Sequence, residues 1–201
     1  MPSEAILAAL RAVLSALAPL KLQTALLGGL ALAVWKHARF TKDVDILVAL
    51  GKVEKDTLLD ALGSTGFRPK RVDGTIRLSA LEVLQMVYAP PDALIDVQVD
   101  LLLAGDEYQY AALDRCITAT IEELNSPVNV LSCEDLILHK LLAGRIIDRA
   151  DAVALLRANR DSLDFDYIRH WIVDKQITSE FAEVWAEAFP GKPLPIRMTG
   201  I

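Results

Sequence analysis

The sequence predicts an α+β fold: a mixed sheet flanked by helices, with a C-terminal helical part. Two observations predict it. Short apolar or alternating runs interleave with helical periodicities up to about residue 131, and every later segment reads as helix. A content of 53% hydrophobic and 24% charged residues supplies a sizeable core and argues against global disorder. At 201 residues the chain is one domain with an appended helical part, or two small domains, with a soft division at 131/132.

Ser3 caps a first helix over 4–17, whose Ile6, Leu10, Val13, Leu14 and Leu17 share a face; Pro19 ends it. Residues 23–27 read as a short buried strand, Gly28-Gly29 as a turn, 30–38 as a helix and 41–50 as a strand. On that strand Val44, Ile46 and Val48 point one way, and Asp43, Asp45 and Leu47 the other. A helix follows over 54–64, closed by Gly66. Strands are expected over 75–79 and 83–89, a turn at Pro90-Pro91-Asp92, and a long strand over 94–103. A helix covers 106–115, and a hairpin joins 119–124 to 128–131 around Asn125-Ser126-Pro127. Ser132 with Asp135 is a capping signal for a helix over 134–143, punctuated by Gly144. Further helices run to about 159, then over 166–175 and 178–189, and the tail after Pro190 reads as loosely held. Trp35, Trp171 and Trp185 fall in helical patterns and read as core.

Composition excludes several classes. Met1-Pro2-Ser3-Glu4 lacks the basic start of a signal peptide, and the longest apolar run, 25–35, is too short for a bilayer. Cys116 and Cys133 lack metal-ligand spacing and read as buried small hydrophobes in a reducing cytoplasm. A net charge of −6 weighs against a wide grip on duplex DNA and leaves room only for a local basic rim. No Ser-His-Asp, Walker-A or zinc pattern is present, and His37 and His139 receive no chemistry.

Chemistry concentrates at Asp43-Val-Asp45. Carboxylates two apart on a strand leave the same face. At roughly 4 Å and an effective dielectric of about 20 they repel by about 4 kcal/mol, which protonation or a hard cation such as Mg²⁺ relieves. An Asp-x-Asp alone is a weak signal, since Asp164-Phe-Asp166 recurs as a helix start. The order strand, Gly-Gly, helix, acidic strand gives it meaning, because glycines let backbone N–H groups approach a phosphate. Asp96 and Asp100 share one face of the 94–103 strand; Asp100 is the preferred third acid of a two-metal site. Arg39 and Lys42 flank the acidic strand and are either phosphate ligands or solvated charges.

Gly28-Gly29, thirteen residues, then Asp43-Val-Asp45 resembles the signature of the polymerase-beta-like nucleotidyltransferase superfamily. Arg39-Phe-Thr-Lys-Asp-Val-Asp-Ile-Leu-Val48 is similar to the form seen in bacterial AbiEii/MenT-like proteins, as are Ser132 to Arg145 and Asp148-Arg-Ala-Asp151. The resemblance spans about 25–156 and implies a nucleotidyltransferase fold, with 1–131 as core and 132–201 as a helical region completing the active site. It implies Mg²⁺ (or Mn²⁺) on Asp43, Asp45 and Asp100, phosphates of a nucleoside triphosphate at Gly28 and Gly29, Lys140 at the triphosphate or the developing charge, and Asp148 or Asp151 ordering Lys140 or the acceptor end. Gly29 departs from the serine of many members. Without the resemblance, Lys140 reads equally as a snorkelling side chain, and Asp148 and Asp151 as helix-capping acids. The implied acceptor is a tRNA 3′ end or a protein side chain, with a cognate antitoxin as partner. A small-molecule acceptor of the aminoglycoside type, or a non-catalytic partner-binding role on the same fold, is the alternative. Arg145, Arg149, Arg157 and Arg160 are candidates for an RNA-facing rim.

Overall fold

The computed structural model describes residues 2–71, 75–78, 81–91, 95–121, 124 and 126–195. The chain forms two compact units, Met1–Ala31 with Ala38–Leu131, and Leu32–His37 with Ser132–Ile201. No helix among the described residues is long and apolar enough to cross a membrane.

The first unit begins with α1 (Glu4–Leu17), capped by the Ser3 hydroxyl, which accepts from the Ile6 N–H at 3.4 Å. Pro19 does not stop the chain outright. It sits in a 3₁₀ turn, Ala18–Leu20, where a missing N–H costs nothing, and Lys21 closes the turn in a left-handed conformation. The rest of the unit is β1 (Gln23–Leu27), the start of α2 (Gly28–Val34), β2 (Asp43–Ala49), α3 (Lys55–Ser64), β3 (Phe67–Pro69), β4 (Thr75–Leu78), β5 (Leu81–Tyr88), β6 (Val97–Leu103), α4 (Glu107–Asp114), β7 (Ile117–Ile121) and β8 (Ser126–Val130). The strands form one mixed sheet in the order β3-β5-β6-β2-β1-β8-β7, with β4 also on β5. β2 runs parallel to β6 and antiparallel to β1.

Register assigns the faces. Val44, Ile46 and Val48 lie opposite Val99, Leu101 and Leu103, and all six are buried. Leu14 and Leu17 of α1 line one pocket with Leu26 and Ile46, so α1 covers this face. Asp43, Asp45, Gln98 and Asp100 therefore leave the other face.

Several expectations need correction. β3 carries no readable pattern, yet Phe67 is buried and stacks on Tyr88 at 4.8 Å between centroids. β6 starts at Val97, and Ile95 is 69% exposed, so the alternation does not extend to it. Ser126 and Pro127 belong to β8 and not to a turn; β1 bonds β8 only near Val130, so Pro127 interrupts no second ladder. Ser79, Asp92, Leu94 and Asn125 lie outside the described residues. Cys116 is only half-buried, as is Trp35.

The second unit contains α5 (Cys133–Ala143), α6 (Ile146–Asn159), α7 (Phe165–Asp174) and α8 (Thr178–Ala188). α5 is buried on nearly every side, and α6 and α7 pack against it. Its cap is as expected: Ser132 accepts from the Asp135 N–H at 3.1 Å, and Gly144 ends the helix with a left-handed φ of 68°. The buried acids of α5 are satisfied individually. Asp135 accepts from Ser132 Oγ at 2.6 Å and Tyr167 Oη at 2.8 Å, and Glu134 accepts from the Asp164 N–H at 2.8 Å. Asp164 caps α7, accounting for the second Asp-x-Asp. The tail is tied further than expected, because the Trp185 indole donates to the Pro193 carbonyl at 3.0 Å.

Candidate active site

The first unit brings the sequence-selected glycines and acids together. Asp45 lies opposite Leu27 on β1 and opposite Asp100 on β6, and Asp43 lies opposite Gln98. Gly28 follows Leu27 with a φ of +66°, a conformation that favours glycine. A Cβ on it would stand 1.9 Å from Asp45 Oδ2, so the absent side chain is what admits the carboxylate beside this backbone. The pair is not a turn ahead of a helix; it forms the first residues of α2, which stops four residues short of the expected end, with Lys36 left-handed.

Gly29 has its own reason. A Cβ there would meet Thr41 Oγ1 at 2.5 Å and Thr41 Cβ at 2.6 Å. Thr41 is buried, and its hydroxyl donates to Asp43 Oδ1 at 2.7 Å. The space that a serine side chain would use is thus held by Thr41, which also orients the first acid. The Arg-x-Thr-Lys-Asp run contained this residue, but only packing reveals its function.

Asp100 is half-buried among amides. Gln98 Nε2 donates to both its oxygens, at 2.9 and 2.8 Å, and Gln85 Nε2 to Oδ1 at 3.4 Å. Its pKa is raised: burial pushes it up, the Gln98 hydrogen bond opposes, and the neighbouring Asp43 charge pushes further up. Asp96 precedes β6 and is ion-paired to Arg68. Lys42 is exposed, and Arg39 donates to the Phe40 carbonyl at 2.9 Å. The donor set of three carboxylates on one face suits a hard divalent cation. Among the described residues, however, no three His, Cys, Asp or Glu side chains are gathered at metal-ligand geometry. Asp43 and Asp100 are turned to Thr41 and to the glutamines instead.

The second unit holds a separate charged cluster. Lys140 Nζ lies 2.8 Å from Asp148 Oδ1 and 2.8 Å from Asp151 Oδ2, with all three side chains buried. The snorkelling reading is thereby overturned, because burial of the ammonium is offset by two carboxylates; Asp148 does lie in the first turn of α6, where no side-chain cap bond is made. Arg145 Nε adds a bond to Asp148 Oδ2 at 2.6 Å. Burial would raise the Asp148 pKa, but the hydrogen bonds and charges of Arg145 and Lys140 prevail and hold it below the ordinary carboxylate value. His37, to which no chemistry was assigned, joins Asp151 through Nε2 at 3.1 Å. The other arginines do not make a rim in common: Arg149 pairs with Glu183, Arg157 donates to the Ala188 carbonyl at 3.1 Å, and Arg160 stacks over Phe189. Burial pushes the Cys133 thiol up to about 12, leaving it inert.

Comparison with known proteins agrees with this architecture. The chain is similar over its length to solved structures of the aminoglycoside nucleotidyltransferase ANT(2″)-Ia. One is a solution structure at TM-score 0.52 and 15% identity, covering 90% of this chain and 93% of that one. The other is a crystal structure with adenylyl-2″-tobramycin at TM-score 0.50 and 14% identity, covering 91% and 98%. An antigenic nucleotidyltransferase-like protein from Paracoccidioides brasiliensis matches at TM-score 0.48 and 17% identity, covering 89% and 91%. No curated protein sequence matches the chain. The family model described as nucleotidyl transferase AbiEii toxin, type IV toxin–antitoxin system, matches residues 9–198. With nearly the whole chain matched on a nucleotidyltransferase fold, this enzyme belongs to the AbiEii nucleotidyltransferase toxin family.

Proposed function

We propose that the enzyme transfers a nucleoside monophosphate from a nucleoside triphosphate to a hydroxyl of an RNA 3′ end, tRNA foremost, with a divalent cation held by Asp43, Asp45 and Asp100. The observation that carries the reading is the approach of Gly28 to Asp45, where a Cβ would stand 1.9 Å from Oδ2. A phosphate laid on the Gly28-Gly29 backbone would lie against the acid row with no side chain between.

The acceptor oxygen attacks the α-phosphorus, the bond to the β-phosphate oxygen breaks, and pyrophosphate leaves. Asp100 is suited to receive the hydroxyl proton, because burial and Asp43 raise its pKa. A bound Mg²⁺ or Mn²⁺ would neutralise the acids and polarise the reacting oxygens. Thr41 keeps Asp43 oriented. For Lys140 the role is offset of negative charge on the leaving group, with Asp148 and Asp151 ordering its ammonium; the support is the motif resemblance. The family description also supports a toxin role with a cognate antitoxin, an action we place in the cytoplasm.

A second reading is transfer to a small molecule, since ANT(2″)-Ia was solved with an adenylylated tobramycin. A protein side chain is a third acceptor. Incubation with each α-labelled nucleoside triphosphate, Mg²⁺, and tRNA, tobramycin or cell extract separates them. Label on tRNA, lost by more than about a hundredfold in Asp45→Ala, is the expected result. Label only on tobramycin or only on protein replaces the acceptor. If nothing is labelled and Mg²⁺ leaves Tm unchanged, metal-dependent transfer fails.

A further inference from the structure

The sheet carries a row that extends past the acids. Lys70 follows β3, and its N–H donates to the Gln85 carbonyl at 2.9 Å. Gln85 lies opposite Asp100, Asp100 opposite Asp45, and Asp45 opposite Leu27, the residue before Gly28. The row therefore has two ends. One is the glycine cradle proposed for the phosphates. The other is Lys70 at the β3 edge, three strand spacings or roughly 14 Å from Asp45.

The ends differ in chemistry. The Lys70 ammonium donates to Gln98 Oε1, and the same Gln98 donates through Nε2 to Asp100. Its hydrogen-bond partner is thus a neutral amide, whereas Arg68, two residues earlier, is ion-paired to Asp96. Among the described residues Lys70 has no salt-bridge partner, and it lies one amide away from Asp100, whose ionisation its charge favours. That charge attracts an anionic group carried near the attacking hydroxyl and repels a polycation. The sign matches a phosphodiester next to a terminal sugar. So local a cationic site in a chain of net charge −6 suits one strand end better than a duplex.

We infer that Lys70, oriented by Gln98, is a specificity-determining residue that anchors a backbone phosphate of a single-stranded RNA acceptor beside Asp100. This rests on the proposed acceptor reading and adds the residue that selects it. The test is fluorescence anisotropy of a short fluorescein-labelled single-stranded RNA with the full chain, without nucleotide or Mg²⁺. Lys70→Glu should weaken binding roughly five- to tenfold and flatten the salt dependence by about 0.7 in log–log slope. Lys70→Arg should restore most of it, and Lys52→Glu, the same charge change on an exposed turn, should leave it unchanged. In the labelling assay, Lys70→Glu should raise KM for RNA and not KM for the nucleotide. Equal RNA binding by wild type and Lys70→Glu overturns the inference, as does Lys70-dependent binding of polyglutamate in place of RNA. Wild-type chain that binds RNA through Lys70 but transfers no label sinks the catalytic reading alone. Transfer to RNA that ignores Lys70 sinks this inference alone.

Discussion

The two units each hold a group of aspartates, and the groups are built on opposite electrostatic terms. In the first, Asp43, Asp45 and Asp100 share one face of adjacent strands, and the hydrogen bonds seen at Asp43 and Asp100 come from neutral donors, Thr41, Gln98 and Gln85. In the second, Asp148 and Asp151 are more deeply buried yet face Lys140, Arg145 and His37. Burial acts the same way on both groups, but Asp100 is raised and Asp148 lowered, because like charge adds to burial at one and opposite charge outweighs it at the other. At Asp100, burial and the Asp43 charge outweigh the Gln98 and Gln85 hydrogen bonds and the Lys70 charge, so a bound cation would relieve what ionisation costs. A compensated cluster contributes to holding its own fold.

The largest expected effect comes from removing the compensation. Lys140→Met leaves two buried carboxylates with less positive charge and should destabilise by about 3–5 kcal/mol, read as a lower denaturant midpoint. A midpoint unchanged from wild type would mean that the second cluster does not hold the fold, and the comparison would fail. Next in size is Gly28→Ala. A left-handed φ costs a Cβ-bearing residue about 1–2 kcal/mol, and the clash with Asp45 must also be relieved. Tm should fall and nucleotidyl transfer should fall with it, because Asp45 is displaced.

The smallest effect sharpens the contrast by its sign. A raised Asp100 pKa means that ionisation costs the metal-free fold stability at neutral pH. That cost disappears as pH falls through the raised value towards the unfolded value of about 3.9. Asp100→Asn should therefore raise Tm at pH 7, and the gain should shrink towards pH 4. Asp148 works in reverse: its contribution is present above about pH 3.9 and is lost as pH falls through its lowered value. Thermal melts of both proteins across this range check it, and a Tm loss in Asp100→Asn at pH 7 would contradict the reading.

Much of the scaffold was legible because it rests on local rules. Ser3 and Ser132 announce their helices through the capping geometry of the next three residues. Strand alternation over Asp43 to Ile46 shows which side chains face inward. What was missed depends on partners distant in the chain. β3 is three residues long and exists because β5 pairs with it. Thr41 reads as the first residue of a strand until Gly29 is seen to pack on it. His37 and Asp151 are 114 positions apart, so no periodicity links them.

By itself the sequence determined the residue types and their order: two glycines ahead of a pair of acids on a half-buried strand, then a third acid on a later strand. Hydrophobic period and backbone freedom are encoded within a few residues, so these could be read directly. Tertiary structure alone decided the rest. The parallel register of β2 on β6 sets Asp45 against Asp100, and the β3 edge carries Lys70 to Gln98. Burial beside specific neighbours then made Asp100 costly to ionise and Asp148 favourable. Charge interactions depend on distance in space and on what excludes water, and neither is written in the spacing of residues along the chain.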